Sequence, residues 1–136
     1  MGQGPEAKTG VVAMAQLEVK SFNKPDETRA FEGRGMADVV NVAGRPVARG
    51  HFEPGWRWSV NIKPIAQTEL CEVSHFGYVE QGRMRIHMRD GVEQDLAPGE
   101  IVAIAPGHDA EVIGDETCVF IDFGEVAEYA LRHETR

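Results

Sequence analysis

The chain has 136 residues and a mass of 15.0 kDa, which is room for one hydrophobic core and excludes a multi-domain enzyme. Hydrophobic residues make up 42% and charged residues 26%, a balance that excludes a wholly disordered chain. Lys and Arg number 14 against 22 Asp and Glu, and the resulting charge of -8 argues against a nucleic-acid partner, whose binding depends on neutralising phosphates.

In chain order, residues 1–10 (MGQGPEAKTG) have neither the apolar stretch nor the flanks of a secretory signal and read as a tail ahead of one domain over 11–136. No run of about 18 apolar residues occurs, so no membrane partner is expected and the expected location is cytoplasmic. Glycines (15) and prolines (7) punctuate short runs of Val, Ile, Phe and Ala. Strands are expected over 11–19, 36–42, 45–52, 67–73, 77–81, 83–89, 93–96, 101–104, 110–113 and 117–123, an all-β pattern of sandwich or barrel type. The first of these alternates Val11, Ala13, Ala15, Leu17 and Val19 and needs a sheet edge to cover it, which points to a homodimer. One short helix is expected over 125–133, with Val126, Tyr129 and Ala130 on its apolar face.

The hairpin around Asp90 and Gly91 has a register that the apolar pattern constrains. A two-residue turn would set Met88 against Glu93 and mix core with charge. A three-residue connection with Gly in the left-handed region pairs Arg89 with Glu93, His87 with Asp95 and Ile86 with Leu96, leaving one apolar and one ionic face. Arg83, Arg85, His87 and Arg89 are then a solvated outer face rather than an anion site.

Two segments carry a family resemblance. Counting back from Gly82 places His75, Cys71, Glu69 and Lys63 on the spacing of a motif G(x)5HxH(x)3-4E(x)6G, at its Glu, second His, first His and first Gly. The stretch 99–114 (GEIVAIAPGHDAEVIG) keeps Gly99 and Gly107 of a second motif, G(x)5PxG(x)2H(x)3N, with Ala105, Ala110 and Gly114 at its Pro, His and Asn. With the order of elements over 51–123, this resembles the cupins and implies a double-stranded β-helix, a jelly-roll barrel, with a small-molecule site inside it. The resemblance also implies a divalent metal held by three His and one Glu. This chain offers Glu69, Cys71 and His75 at three of those positions and Ala110 at the fourth. His108, two residues from Ala110, lies on the same strand face, so it can substitute. Cys, imidazole and carboxylate suit zinc, then iron, ahead of manganese.

Each candidate also has a plainer role. Cys71 and Cys118 are too few for a disulfide framework, and Cys71 can be a small buried hydrophobe. His108 can be a turn histidine bonded to backbone and Glu69 a solvated carboxylate; in an enzyme, Glu69 or His108 would be the proton carrier. Asp109 can orient a neighbouring His or satisfy backbone amides, while His51 and His87 read as structural or exposed. Both tryptophans fall in FEPGWRW, and Trp56 and Trp58 can cap the core or line a small-molecule pocket. No GxSxG, P-loop, GxGxxG or HExxH pattern occurs. The functional expectations are a metal-dependent enzyme on a small polar substrate or, alternatively, a non-catalytic binding or sensing module.

Overall fold

The computed structural model describes residues 16–131. Its strands are β1 (Glu27–Ala30), β2 (Gly35–Val42), β3 (Arg45–Phe52), β4 (His75–Gln81), β5 (Arg83–Met88), β6 (Glu93–Leu96), β7 (Ile101–Ile104), β8 (His108–Ile113) and β9 (Cys118–Asp122). Two helical turns, α1 (Trp58–Asn61) and α2 (Lys63–Ala66), connect β3 to β4. The strands form a six-stranded sheet in the order β1-β2-β3-β9-β4-β7 and a three-stranded sheet in the order β6-β5-β8, with every pairing antiparallel. Alternation gives each strand an inner and an outer face. In β5, Met84 and Ile86 are buried inward, while Arg83, Arg85 and His87 face outward. The inner faces of the two sheets, with Trp56 and Trp58, enclose the core.

The β5–β6 hairpin segregates apolar from ionic residues as the pattern requires, but its register differs from the expected one. Arg85 pairs with Asp95, His87 with Glu93 and Met84 with Leu96, not Arg89 with Glu93, His87 with Asp95 or Ile86 with Leu96. The three-residue connection is Arg89, Asp90 and Gly91, closed by Met88 and Val92, one residue earlier than expected. The Asp90 carboxylate accepts the Val92 amide at 3.0 Å, and Gly91 supplies the φ of 95° that ends the turn. The shift moves both strands' partners by an even number of residues, so each side chain keeps its face.

Other elements differ from expectation. No strand forms over 67–73: Pro64 sits in the first turn of α2, and Gln67, at φ 61°, ends that helix and turns the chain outward. Only an isolated bridge between Cys71 and His108 ties this loop to the smaller sheet. The expected strand over 11–19 falls partly outside the described residues; within them, residues 16–19 form no strand, and Leu17 and Val19 are 83% and 81% exposed. The expected helix over 125–133 falls partly outside the described residues; within them it holds a single 3₁₀ turn, Val126–Glu128. Arg29 donates to the carbonyls of Val126 and Tyr129 at 2.7 Å, and Ala130 takes φ 52°, so the helical ladder stops there. The face itself holds: Val126, Tyr129 and Ala130 are all buried. β1, unexpected, is a charged edge strand (ETRA) that alternation does not reveal.

Candidate metal centre

The site is built where the two sheets face each other. The loop before β4 carries Cys71, β4 opens with His75, β8 opens with His108, and β9 ends with Asp122. Cys71 is fixed by its backbone: its amide donates to the His108 carbonyl at 2.8 Å, and its own carbonyl accepts from Gly107 at 2.7 Å. His75 meets Asp122 because β4 and β9 are neighbours with Gly77 opposite Asp122. A Cβ at Gly77 would lie 1.8 Å from the Ile121 carbonyl oxygen, so only glycine lets the strands approach this closely.

One donor atom from each of Cys71, His75 and His108 lies within 4.8 Å of the others. Cys71 Sγ is 3.6 Å from His75 Nε2. His75 Nδ1 donates to Asp122 at 2.6 Å, and His108 Nδ1 donates to the Ala105 carbonyl at 2.8 Å. With both Nδ1 groups committed to acceptors, each Nε2 is the nitrogen left for the interior, where it donates to the Cys71 thiolate when protonated and can hold a metal when neutral. The two rings stand 5.2 Å apart, edge to face. Asp122 is itself held, its other oxygen accepting the Gly124 and Phe76 amides at 2.8 and 3.3 Å.

Electrostatics follow from this geometry. Burial by itself would push the Cys71 thiol up, but hydrogen bonds from His108 and His75 and their charges outweigh it and bring it down to about 7. Burial opposes charge on His75, yet the hydrogen bond to Asp122, reinforced by Cys71, raises it to about 9. The second thiol, Cys118, has no such partners: burial, with Glu116 adding to it, pushes it up to about 12. Tyr129 packs edge-on against His75 at 5.3 Å, and burial with the charges of Cys71 and Asp122 holds its phenol well above the ordinary range.

The cavity beside this cluster has a volume of about 40 Å³. Its polar walls are His75, His108, Asp122 and Tyr129, and Trp56 and Trp58 form part of the rest with apolar side chains of both sheets. Ala110 lines it too, so the position where the family motif carries a His is empty space rather than a donor. Both tryptophans are therefore cavity walls as well as core.

Glu69 is not brought to the cluster: its side chain is 89% exposed and pairs with Lys63 at 3.0 Å, because the loop that carries it is no strand and strand parity does not apply. Asp109 satisfies the Ser59 and Ala110 amides and does not orient His108. Sequence reading missed Asp122 and Tyr129. A lone carboxylate closing the fully buried run Cys118–Asp122, on the same strand face as Cys118 and Phe120, is the signal that would have found the first.

No family model and no curated protein matches the sequence. Solved structures do match. A protein with a double-stranded β-helix domain from Klebsiella pneumoniae aligns at 19% identity and TM-score 0.54 over 81% of this chain and 90% of its own. A cupin-superfamily sugar phosphate isomerase from Silicibacter pomeroyi aligns at 23% and 0.52 over 75% and 74%. The chain has the cupin fold. Oxalate decarboxylase of Bacillus subtilis, whose Mn(II) centres are described, aligns at 16% and 0.53 over 78% of this chain, which spans 29% of that longer protein. Metal-dependent enzymes are thus among the cupins this chain resembles, and Cys71, His75 and His108 fit a divalent metal by donor type, spacing and the acceptors behind both imidazoles. Among the described residues no helix is long and apolar enough to cross a membrane.

Proposed function

We propose that this chain is a metal-dependent cupin enzyme on a small molecule, with Cys71, His75 and His108 holding one divalent ion. The observation that carries the reading is the convergence of one thiol and two imidazoles within 4.8 Å, each imidazole steered by an acceptor on its far nitrogen. One thiolate and two imidazoles favour zinc over manganese, which prefers oxygen-rich sites. Three protein ligands leave a coordination position open, and the cavity lies beside it. The ion would supply a Lewis acid to a bound ligand in a water-poor interior. The chain's own residues do the rest. Asp122 keeps His75 in the tautomer that presents Nε2, Tyr129 packs against that ring, and Trp56 and Trp58 wall the ligand.

A second reading has its own observation: Cys71, His75 and Asp122 lie in line, thiol to imidazole to carboxylate, as a metal-free nucleophile and its base would. Titrating metal-stripped protein with zinc decides between them. The metal reading expects one equivalent bound, loss of binding in Cys71→Ser and His108→Ala, and affinity that falls as pH drops through about 9 and again through about 7, where His75 and then Cys71 take up the protons a metal must displace. Uptake below about 0.1 equivalent removes it. In that case iodoacetamide should label Cys71 at neutral pH well ahead of Cys118, since both thiols are buried but only that of Cys71 is brought down to about 7.

A further inference from the structure

The cavity beside the metal cluster is unevenly built. Its charged and titratable walls gather around His75: Asp122 accepts from that ring at 2.6 Å, and the His108 and Tyr129 rings pack against it at 5.2 and 5.3 Å. Away from this end, Met84, Ile86, Leu96, Ile104 and Phe120 form an apolar wall. No Lys or Arg lines the cavity among the described residues. The polar end is largely engaged as well. His75 and His108 spend Nδ1 on Asp122 and the Ala105 carbonyl, and the other Asp122 oxygen accepts the Phe76 and Gly124 amides. What remains there for a ligand is Tyr129 and the open position of an ion.

We infer that the cavity takes a neutral short-chain molecule with a single oxygen, an aliphatic alcohol or carbonyl compound, its oxygen at the His75 end and its carbons against the apolar wall. Charge balance selects a neutral ligand, and here the inference rests on the metal reading. The two positive charges of a divalent ion are offset by the Cys71 thiolate and the Asp122 carboxylate, so the centre offers no excess of either sign. A charged ligand would leave water for a carbon-lined space with no counter-charge to meet it. One lone-pair atom is what a Lewis acid with an open position takes, and burial of carbon against Met84, Ile86 and Leu96 supplies the remaining affinity. The volume of about 40 Å³, at about 10–15 Å³ for each water-sized occupant, admits about three or four heavy atoms.

Met84 lines the cavity and is one of five methionines, so in protein carrying ¹³C-methyl methionine its signal, assigned from Met84→Leu, reports on the apolar wall. Zinc-loaded and metal-stripped samples of the full chain are titrated to about 100 mM, the range of weak ligands, with 2-propanol, acetone, sodium acetate and ethylene glycol. The probes are equal in heavy atoms and differ in charge and polarity. In the zinc-loaded protein 2-propanol or acetone moves the Met84 signal saturably, and the tighter of the two tells alcohol from carbonyl. Acetate, which is charged, and ethylene glycol, which is polar at both ends, do not. Removing zinc weakens that binding about tenfold, and so does Ala110→Val, which fills part of the cavity with zinc still bound. A Met84 signal unmoved by both 2-propanol and acetone in both samples, or moved as much by acetate or ethylene glycol, overturns the ligand class. The wild-type titration decides this even if a variant fails to fold. Absence of zinc uptake with 2-propanol or acetone still moving the signal overturns the metal reading alone and leaves the ligand class standing.

Discussion

Two histidine–carboxylate pairs in this molecule have the same length and different surroundings. His75 and Asp122 meet at 2.6 Å with side chains 9% and 8% exposed, between the two sheets. His87 and Glu111 also meet at 2.6 Å, at 26% and 23%, on the outer face of the smaller sheet. There His87 is shared with Glu93 at 2.9 Å, Glu111 with Arg57 at 2.7 Å, and Asp95 with Arg85 at 2.7 and 3.1 Å. The inner pair is nearly shut off from solvent and its other contacts are two backbone amides and the Cys71 thiol; the outer pair is partly exposed and has further charged partners. Distance therefore does not set what a pair is worth: desolvation and the number of alternatives do.

Removing one carboxylate from each region should break the equivalence. Asp122→Ala strips His75 of its acceptor and orphans the Gly124 and Phe76 amides, so urea unfolding should show a loss of about 3 kcal/mol, in the range for breaking a buried pair. The same variant should lower zinc affinity about 10- to 100-fold in a competition titration. A loss no larger than that of an outer-face variant would show that burial does not separate the pairs.

The pH dependence of stability sharpens the contrast with a smaller effect. His75 is raised from 6.5 to about 9, so its contribution is fully present below 6.5 and is lost as pH climbs through 9. Cys71 is depressed from 9.0 to about 7, so its contribution is present above 9.0 and is lost as pH falls through 7. Between about 7 and 9 folded and unfolded chains each hold one of the two protons, so the contributions cancel and the metal-free protein's denaturation midpoint should be nearly flat there. Cys71→Ser leaves the His75 half alone and a midpoint that falls as pH climbs from about 6.5 to 9. A variant whose midpoint stays as flat as the wild type's across that range would take the pair out of the account.

The outer face should give the smallest change. Burial opposes charge on His87, but Glu111 and Glu93 outweigh it and raise the imidazole above its ordinary value. Its contribution is thus present at acid pH and fades as pH rises past that raised value. His87→Gln should cost under about 1 kcal/mol at pH 6, less again at pH 9 and less in high salt. A cost rivalling that of Asp122→Ala would mean that the exposed network acts as a unit.

Much of the fold was legible because local rules decide it. Residues 45–52, 93–96 and 101–104 were read with the bounds that the structure shows, since alternation and flanking turn residues act over a few positions. β1 was not legible, because an edge strand of sequence ETRA needs no apolar alternation, only a neighbour to bond to. The loop over 67–73 offers the apolar Leu70, Cys71 and Val73 among polar residues, enough to read as a short strand, yet α2 had already turned the chain outward and left Glu69 in solvent.

The sequence by itself determined the β architecture, the inner and outer faces of β5 and the spacing that singles out Cys71, His75 and His108. Those are consequences of period-two geometry and of motif spacing along one stretch of chain. Only the tertiary structure decided that Asp122, 47 residues from His75, stands behind it, that Tyr129 packs edge-on against it, and that both indole nitrogens are left without a partner. Sheet order is the reason: β9 lies between β3 and β4, and no periodicity along the chain says which strand will be its neighbour.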